Sequence, residues 1–520
     1  MRVRSQRAIR SVRGGVEAEA APLWPYLLLC GLLAVWIDLG NHHRFENADS
    51  VIPILVSLQK WTLFYWEQKR FGMLVPLLAI PFHSPLANLL VQNAITIFAG
   101  LSVGFLLARY FVAGRAWPLV GLLDTVLCLW LAPGDYRWRL LGTSLPYGAA
   151  LALALAGLLL ARGTRFRREH RGRIAAALIA LLLAHWLSPA TAVVVLALVW
   201  LPRVGTIARD PRHGWRDPEA TVPSALVAAS LAIVRIAAYL QPYGRSVYGV
   251  RSPTAWPAGW AALVGRLPEM LGSFDWFLVA GALGLAGLGV AWQRGRGAAR
   301  ANPAPRSVLV LIGAAILYWL AAGSIRWVVL NNGAFPRYLI PSVQLISSAL
   351  AIAALAPWLD RERRPSTSVQ ILGGVAVLVA ATLNYGFPSL AGVRSDLRDR
   401  LGRFSDEVLA ADCTHLAGNY WRVWPAVFHV NMLRHAAGRD DVLWGIAFRS
   451  APTGEQARLA SGHFPRVCML RDADPRRVEA YGFGSLSLVE RRGAIDVYQP
   501  QPPSDVAPPG RASSGGEGGP

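Results

Sequence analysis

The residues of this 520-residue chain best suited by type and spacing to do chemistry begin with His42-His43-Arg44-Phe45-Glu46-Asn47-Ala48-Asp49. Glu46 and Asp49 lie three apart, a spacing that puts both carboxylates on one face of a helical turn. A carboxylate held at a membrane surface can take a proton from an incoming hydroxyl or bind a divalent cation. The competing reading is a pair of solvated loop acids. Asp135, in Pro133-Gly134-Asp135-Tyr136-Arg137, would supply a further acid if its loop converged with the first; a plain Gly-Asp turn is favoured over that role.

Cationic and aromatic residues stand at comparable places. Trp61-Thr62-Leu63-Phe64-Tyr65-Trp66-Glu67-Gln68-Lys69-Arg70-Phe71-Gly72 reads as an interfacial helix anchored by its rings, with Glu67, Lys69 or Arg70 able to turn into a cavity. Asn331-Asn332-Gly333-Ala334-Phe335-Pro336-Arg337-Tyr338 puts Arg337 where a loop enters an apolar run. A guanidinium there can grip phosphate oxygens in a fork. Tyr243, Arg245, Tyr248 and Arg251 could make similar contacts. Asp124 and Arg235 lie inside apolar runs. Charge in a membrane is costly, so function is one reading and a structural Asp–Arg pair is the other. The sequence holds no Walker loop, GxSxG, paired CxxC or HExxH, which argues against an ATP-driven transporter carrying its own nucleotide-binding domain.

The elements that must position these residues are mostly membrane spans. Apolar residues make up 54% of the chain and charged residues 16%, well under the roughly 25% of a soluble domain. The net charge of +21 does not point to nucleic acid. Residues 389–520 carry 16 Arg against 15 acidic residues, so nearly all the excess lies in short clusters between apolar runs of residues 1–388. Spans are predicted at 23–41, 84–111, 116–132, 145–161, 223–240, 274–292, 307–323, 338–358 and 369–387. The first reads as a signal anchor behind a basic cytoplasmic tail, residues 1–22. The apolar block 174–201 is long for one span. It is flanked on both sides by Arg-rich segments and holds Pro189 near its centre, so it reads as two short helices, 174–187 and 189–202, that enter and return. The count is then about eleven spans, with loops 42–83, 133–144, 241–273 and 324–337 facing outward together with the C-terminus.

Residues 389–500 read as a small α+β extracytoplasmic domain. Helical patterning runs over 394–411 and 421–438, strand-like runs over 443–449 and 466–470, and a hairpin over 485–498 turns near Arg491-Arg492-Gly493. Residues 501–520 are Pro/Gly/Ser-rich and read as disordered. Cys30 and Cys128 fall in apolar spans as packing residues; for Cys413 and Cys468, two free buried thiols are favoured over a disulfide.

Taken together, these pieces resemble the GT-C superfamily of membrane glycosyltransferases, which includes protein mannosyltransferases, aminoarabinose transferases and oligosaccharyltransferases. The resemblance rests on Glu46 and Asp49 just after the first span, on Trp186-Leu187-Ser188-Pro189 as a mid-chain broken hairpin, and on Pro336-Arg337-Tyr338 followed by Ile340-Pro341 before a late span. It covers residues 23–388. The chain departs from the superfamily in one respect: its first loop holds Glu-x-x-Asp, where adjacent acids or Asp-x-Asp are common.

The resemblance implies a transferase moving a hexose or pentose, with inversion, from a polyprenyl-phosphate carrier to an envelope glycan, lipid or protein on the outer face of a bacterial inner membrane. Asp49 would be the general base, and Glu46 or Asp135 would assist or, with Asp49, hold a divalent metal such as Mg or Mn. Arg337, Tyr338, Arg70 and Lys69 would bind the lipid phosphate. The alternative is a non-enzymatic lipid or polysaccharide transporter, or an envelope-assembly scaffold.

Overall fold

The computed structural model describes residues 21–112, 115–131, 134–142, 146–241, 250–266, 268, 275–295, 304–331, 336–359, 365–447, 466–471, 473 and 485–500. The basic tail up to residue 20 and residues 501–520 lie outside them.

Six helices among the described residues are long and apolar enough to cross a membrane: Pro85–Phe111, Thr191–Arg209, Pro218–Leu240, Ala304–Gly323, Arg337–Trp358 and Thr367–Tyr385. Trp24–Asp38, Trp117–Trp130 and Tyr147–Ala161 are shorter apolar helices. The chain is thus a multi-pass membrane protein, and each predicted span falls on a helix. Many apolar side chains, such as Leu285, Leu309 and Leu372, face outward, as a lipid-facing surface requires.

The block 174–201 is two helices, Arg171–Leu187 and Thr191–Trp200, broken at Ser188-Pro189-Ala190. Pro189 cannot continue the hydrogen-bond ladder. The break is closed by Ser188, whose carbonyl accepts from the Thr191 hydroxyl at 2.8 Å.

Asp124 and Arg235 do not pair. Asp124 is buried and accepts from Gln344 (2.9 Å), Ser347 (2.5 Å) and Ser348 (2.9 Å). Arg235 is exposed on another helix, Pro218–Leu240. Three neutral donors on the Ile340–Leu355 helix thus do what an arginine was expected to do.

The C-terminal segment forms a five-stranded sheet in the order β2-β1-β3-β5-β4, with β1 His415–Ala417, β2 Trp444–Ile446, β3 Val467–Leu470, β4 Leu486–Arg492 and β5 Ile495–Pro500. β1 runs parallel to both neighbours, whereas β5 is antiparallel to β3 and β4. The helix Tyr420–Ala436 crosses over between the parallel strands β1 and β2, burying Val423, Trp424, Val427 and Phe428. The β4–β5 hairpin turns at Gly493, which has φ +54°.

Cys413 and Cys468 form a disulfide with Cα atoms 5.8 Å apart, which corrects the expectation of two free thiols. The β1–β3 register brings this about, because Leu416 faces Cys468 and Cys413 lies just before β1. The bridge closes a loop of 55 residues. Replacing both cysteines with serine is expected to destabilise this domain by about 4 kcal/mol. Thermal unfolding with and without reductant checks this: the wild type should lose stability on reduction and the double variant should not respond.

Candidate active site

Asn47 sets the geometry of the acidic motif. Its side-chain oxygen accepts from the Asp49 main-chain N–H at 2.9 Å, and its own N–H donates to Ser50 Oγ at 2.8 Å, so the helix Ala48–Leu58 starts just after it. Asp49 therefore stands in the first helical turn, where a carboxylate suits the helix dipole. Glu46 is extended outside the helix, with φ −58° and ψ 144°. The two acids do not share a helical face as their spacing suggested.

Glu46 is buried at 1% exposure and points inward. Its Oε1 accepts from Asn93 Nδ2 at 3.1 Å and lies 3.4 Å from His43 Nδ1. On its other edge, His43 Nε2 approaches Asp38, 2.8 Å from the backbone oxygen and 3.4 Å from Oδ1. Burial alone would push the His43 imidazole down, but Asp38 and Glu46 override it and hold it up at about 10. Burial alone would raise the Glu46 carboxyl, and His43 holds it below the usual range instead. Burial dominates at His42 and pushes it down to about 3. Together, Asp38, His43 and Glu46 form a buried charged brace beneath Asp49.

Asp49 itself is engaged at both oxygens. Oδ2 lies 3.5 Å from Arg337 Nη1, and Oδ1 accepts a hydrogen bond from the Tyr420 hydroxyl. Arg337 Nη2 also donates to the Tyr338 hydroxyl at 3.1 Å, and its guanidinium lies 5.1 Å from the Tyr338 ring centroid. The acid after the first helix and the cation before the late one thus meet.

The segment 61–72 is not an interfacial helix. It is a compact loop closed by the bridge between Phe64 and Gly72, with Phe64, Tyr65 and Trp66 buried in protein rather than lying in the interface. Glu67 (φ 57°) and Phe71 (φ 55°) take left-handed conformations, uncommon for side chains of this size, on either side of Arg70. Arg70 is buried, donates to Gln68 Oε1 at 2.5 Å and stacks over Phe71 at 4.5 Å; Lys69 is half-buried in the same loop. The broken hairpin holds this loop in place. Trp186 Nε1 donates to Leu63 O at 2.9 Å, and the Gly72 N–H donates to Trp186 O at 2.8 Å. A Cβ at Gly72 would run into the Trp186 ring.

Loop, hairpin break and late helices enclose a largely apolar cavity of about 270 Å³. Its walls include Arg70, Tyr147, Ser188, Pro189, Tyr318 and Tyr338. Arg70 and Tyr338 thus line the cavity, and Arg337 links Tyr338 to Asp49.

Asp135 belongs to the helix Gly134–Leu141, and its side chain lies outside the described residues. That helix abuts the first loop, because a Cβ at Gly134 would sit 2.9 Å from the Phe45 ring. Tyr243, Arg245 and Tyr248 also lie outside the described residues. Arg251 packs beside Gly259, and its main-chain N–H donates to the Ser324 carbonyl at 2.9 Å, next to Ile325 in the cavity wall. Tyr420 was not foreseen, since nothing local marks a tyrosine 371 residues away as a partner of Asp49.

No protein-family model and no curated protein matches the chain. Among solved structures, ArnT from Cupriavidus metallidurans is similar in the form bound to undecaprenyl phosphate (TM-score 0.45, 14% identity) and in the apo state (TM-score 0.44, 13% identity). Each comparison covers 92% of this chain and 97% of that one. The arabinofuranosyltransferase AftD from Mycobacteria is similar at a TM-score of 0.38 and 16% identity, over 92% of this chain and 40% of its own length.

Proposed function

We propose that this protein is an inverting membrane glycosyltransferase. It moves a sugar from a polyprenyl-phosphate carrier to an envelope acceptor on the outer face of a bacterial inner membrane. The observation that carries this reading is the meeting of Asp49 with Arg337, next to Tyr338 and the apolar cavity it lines. A base, a phosphate-binding cation and an apolar space for a lipid chain are the three things such a transfer needs.

In this reading Asp49 takes the proton of the acceptor hydroxyl as the oxygen attacks the anomeric carbon. The bond from that carbon to the phosphate oxygen breaks, and the charge gathers on the leaving phosphate. Arg337 and Arg70, with Lys69 nearby, stabilise that charge as it develops. Attack opposite the leaving group inverts the anomeric centre through an oxocarbenium-like transition state. Asp49 and Glu46 have different partners and do not converge as a pair of metal ligands, so no step is assigned to a metal.

The reading places about eleven spans, the N-terminus in the cytoplasm and the C-terminal domain outside. The Cys413–Cys468 disulfide supports that placement, because such bridges persist in oxidising compartments.

Two measurements test it. The purified protein should bind undecaprenyl phosphate, and Arg337→Ala should weaken that binding roughly tenfold to a hundredfold, as expected for losing a charged hydrogen bond. Envelope glycans compared by mass spectrometry with and without the protein should differ by a defined sugar. Unchanged binding in the variant together with unchanged glycans would refute the proposal.

A further inference from the structure

We infer that Tyr420 is a positioning residue for transfer, so that the C-terminal domain completes the catalytic centre. The inference rests on the reading of Asp49 as the base.

Asp49 is a short side chain at a helix start, with 13% of its surface exposed and a cation 3.5 Å from Oδ2. Arg337 pairs with that oxygen. The Tyr420 hydroxyl donates to Oδ1, so both oxygens of the carboxylate are held. The phenol is itself held in place. Tyr420 opens the helix Tyr420–Ala436, which Asn419 caps by accepting from the Trp421 N–H at 2.9 Å.

The helix is anchored to the first outward loop at several points. Trp424 packs against Trp66 with ring centroids 5.6 Å apart. Gln59 Nε2 donates to Leu443 O at 3.0 Å, and Asn431 bonds both the N–H and the carbonyl of Leu443. Arg400, from the helix Leu390–Leu401, donates to the Glu46 carbonyl at 3.3 Å. These contacts dock the domain without the tyrosine hydroxyl. The hydroxyl adds to that docking a bond to the base itself, and small misplacements of a reacting group are costly in rate.

The test uses the full chain reconstituted in proteoliposomes with a polyprenyl-phosphate sugar. Tyr420→Phe keeps the ring and removes only the hydroxyl. It should lower kcat roughly tenfold or more, with the KM for the lipid-linked donor unchanged. Gln59→Ala loosens docking at a point remote from Asp49, and should lower the thermal midpoint while leaving kcat unchanged. An unaltered kcat in Tyr420→Phe, or an equal fall in kcat in Gln59→Ala, overturns the positioning role. If Asp49→Asn transfers at the wild-type rate, it is instead the underlying reading of Asp49 that fails. Should Tyr420→Phe fold poorly, Asn419→Ala, which unsettles only the start of the same helix, should reproduce the fall in kcat at constant KM; an unchanged kcat there counts against the inference.

Discussion

Asp49→Asn should reduce sugar transfer by about 10²–10⁴-fold, the range that general-base catalysis contributes, while leaving the protein folded. The amide keeps the shape of the side chain but cannot take a proton from an acceptor hydroxyl. The fold should survive because the capping contacts at this position use the main-chain N–H of residue 49, not its carboxylate. The Tyr420 hydroxyl can still donate to the amide oxygen. Arg337 loses a charged partner, but both side chains retain some exposure, 18% for Arg337 and 13% for Asp49, which limits the cost to stability. Initial rates in proteoliposomes measure the first effect, and a thermal midpoint in detergent measures the second. A variant that keeps a tenth or more of the wild-type rate would remove Asp49 as the base.

Much of the membrane architecture was legible because spans of this length carry strong signals. The break in the block 174–201 was legible for a different reason: the block is long for one span and has Pro189 near its middle, and it forms two helices, Arg171–Leu187 and Thr191–Trp200. In the C-terminal domain the β4–β5 hairpin was visible from its turn, whereas β1 was not, since three residues show no alternation.

At the site, spacing was a poorer guide. The three-residue interval between Glu46 and Asp49 implied one helical face, but Asn47 with Ser50 three residues on is itself a helix-start signal. Read that way, the motif would have separated the two acids. The expected Asp124–Arg235 pair failed because span sequences do not say which faces meet; Asp124 faces the serines of Ile340–Leu355 instead. The segment 61–72 was read as an interfacial helix anchored by its rings, yet Phe64 packs with Trp186 of the hairpin and Trp66 with Trp424 of the C-terminal domain. Tyr420 depends wholly on tertiary docking and leaves no trace in local sequence.

The second large effect concerns stability at the brace beneath the site. Glu46→Gln should destabilise the protein by about 3–5 kcal/mol at neutral pH, because it removes one of two carboxylates from a buried imidazolium. The pH dependence follows from the signs of the shifts. His43 is held up at about 10, above its ordinary value near 6.5, so its contribution is complete below about pH 6.5 and is lost as pH rises through 10. Glu46 is held below its ordinary value of 4.5, so its contribution is complete above that and fades as pH falls through its lowered value. His42, held down at about 3, withdraws stability as pH falls below about 6.5, so the wild type should be most stable at about pH 6.5, weakening toward pH 10. In Glu46→Gln only Asp38 still supports the charged imidazole, so the alkaline loss should begin at lower pH. Thermal midpoints recorded from pH 5 to 10 read both effects. Wild-type and variant curves that run parallel across that range would show that His43 carries no charge in the fold, and the brace would then be an ordinary hydrogen-bonded cluster.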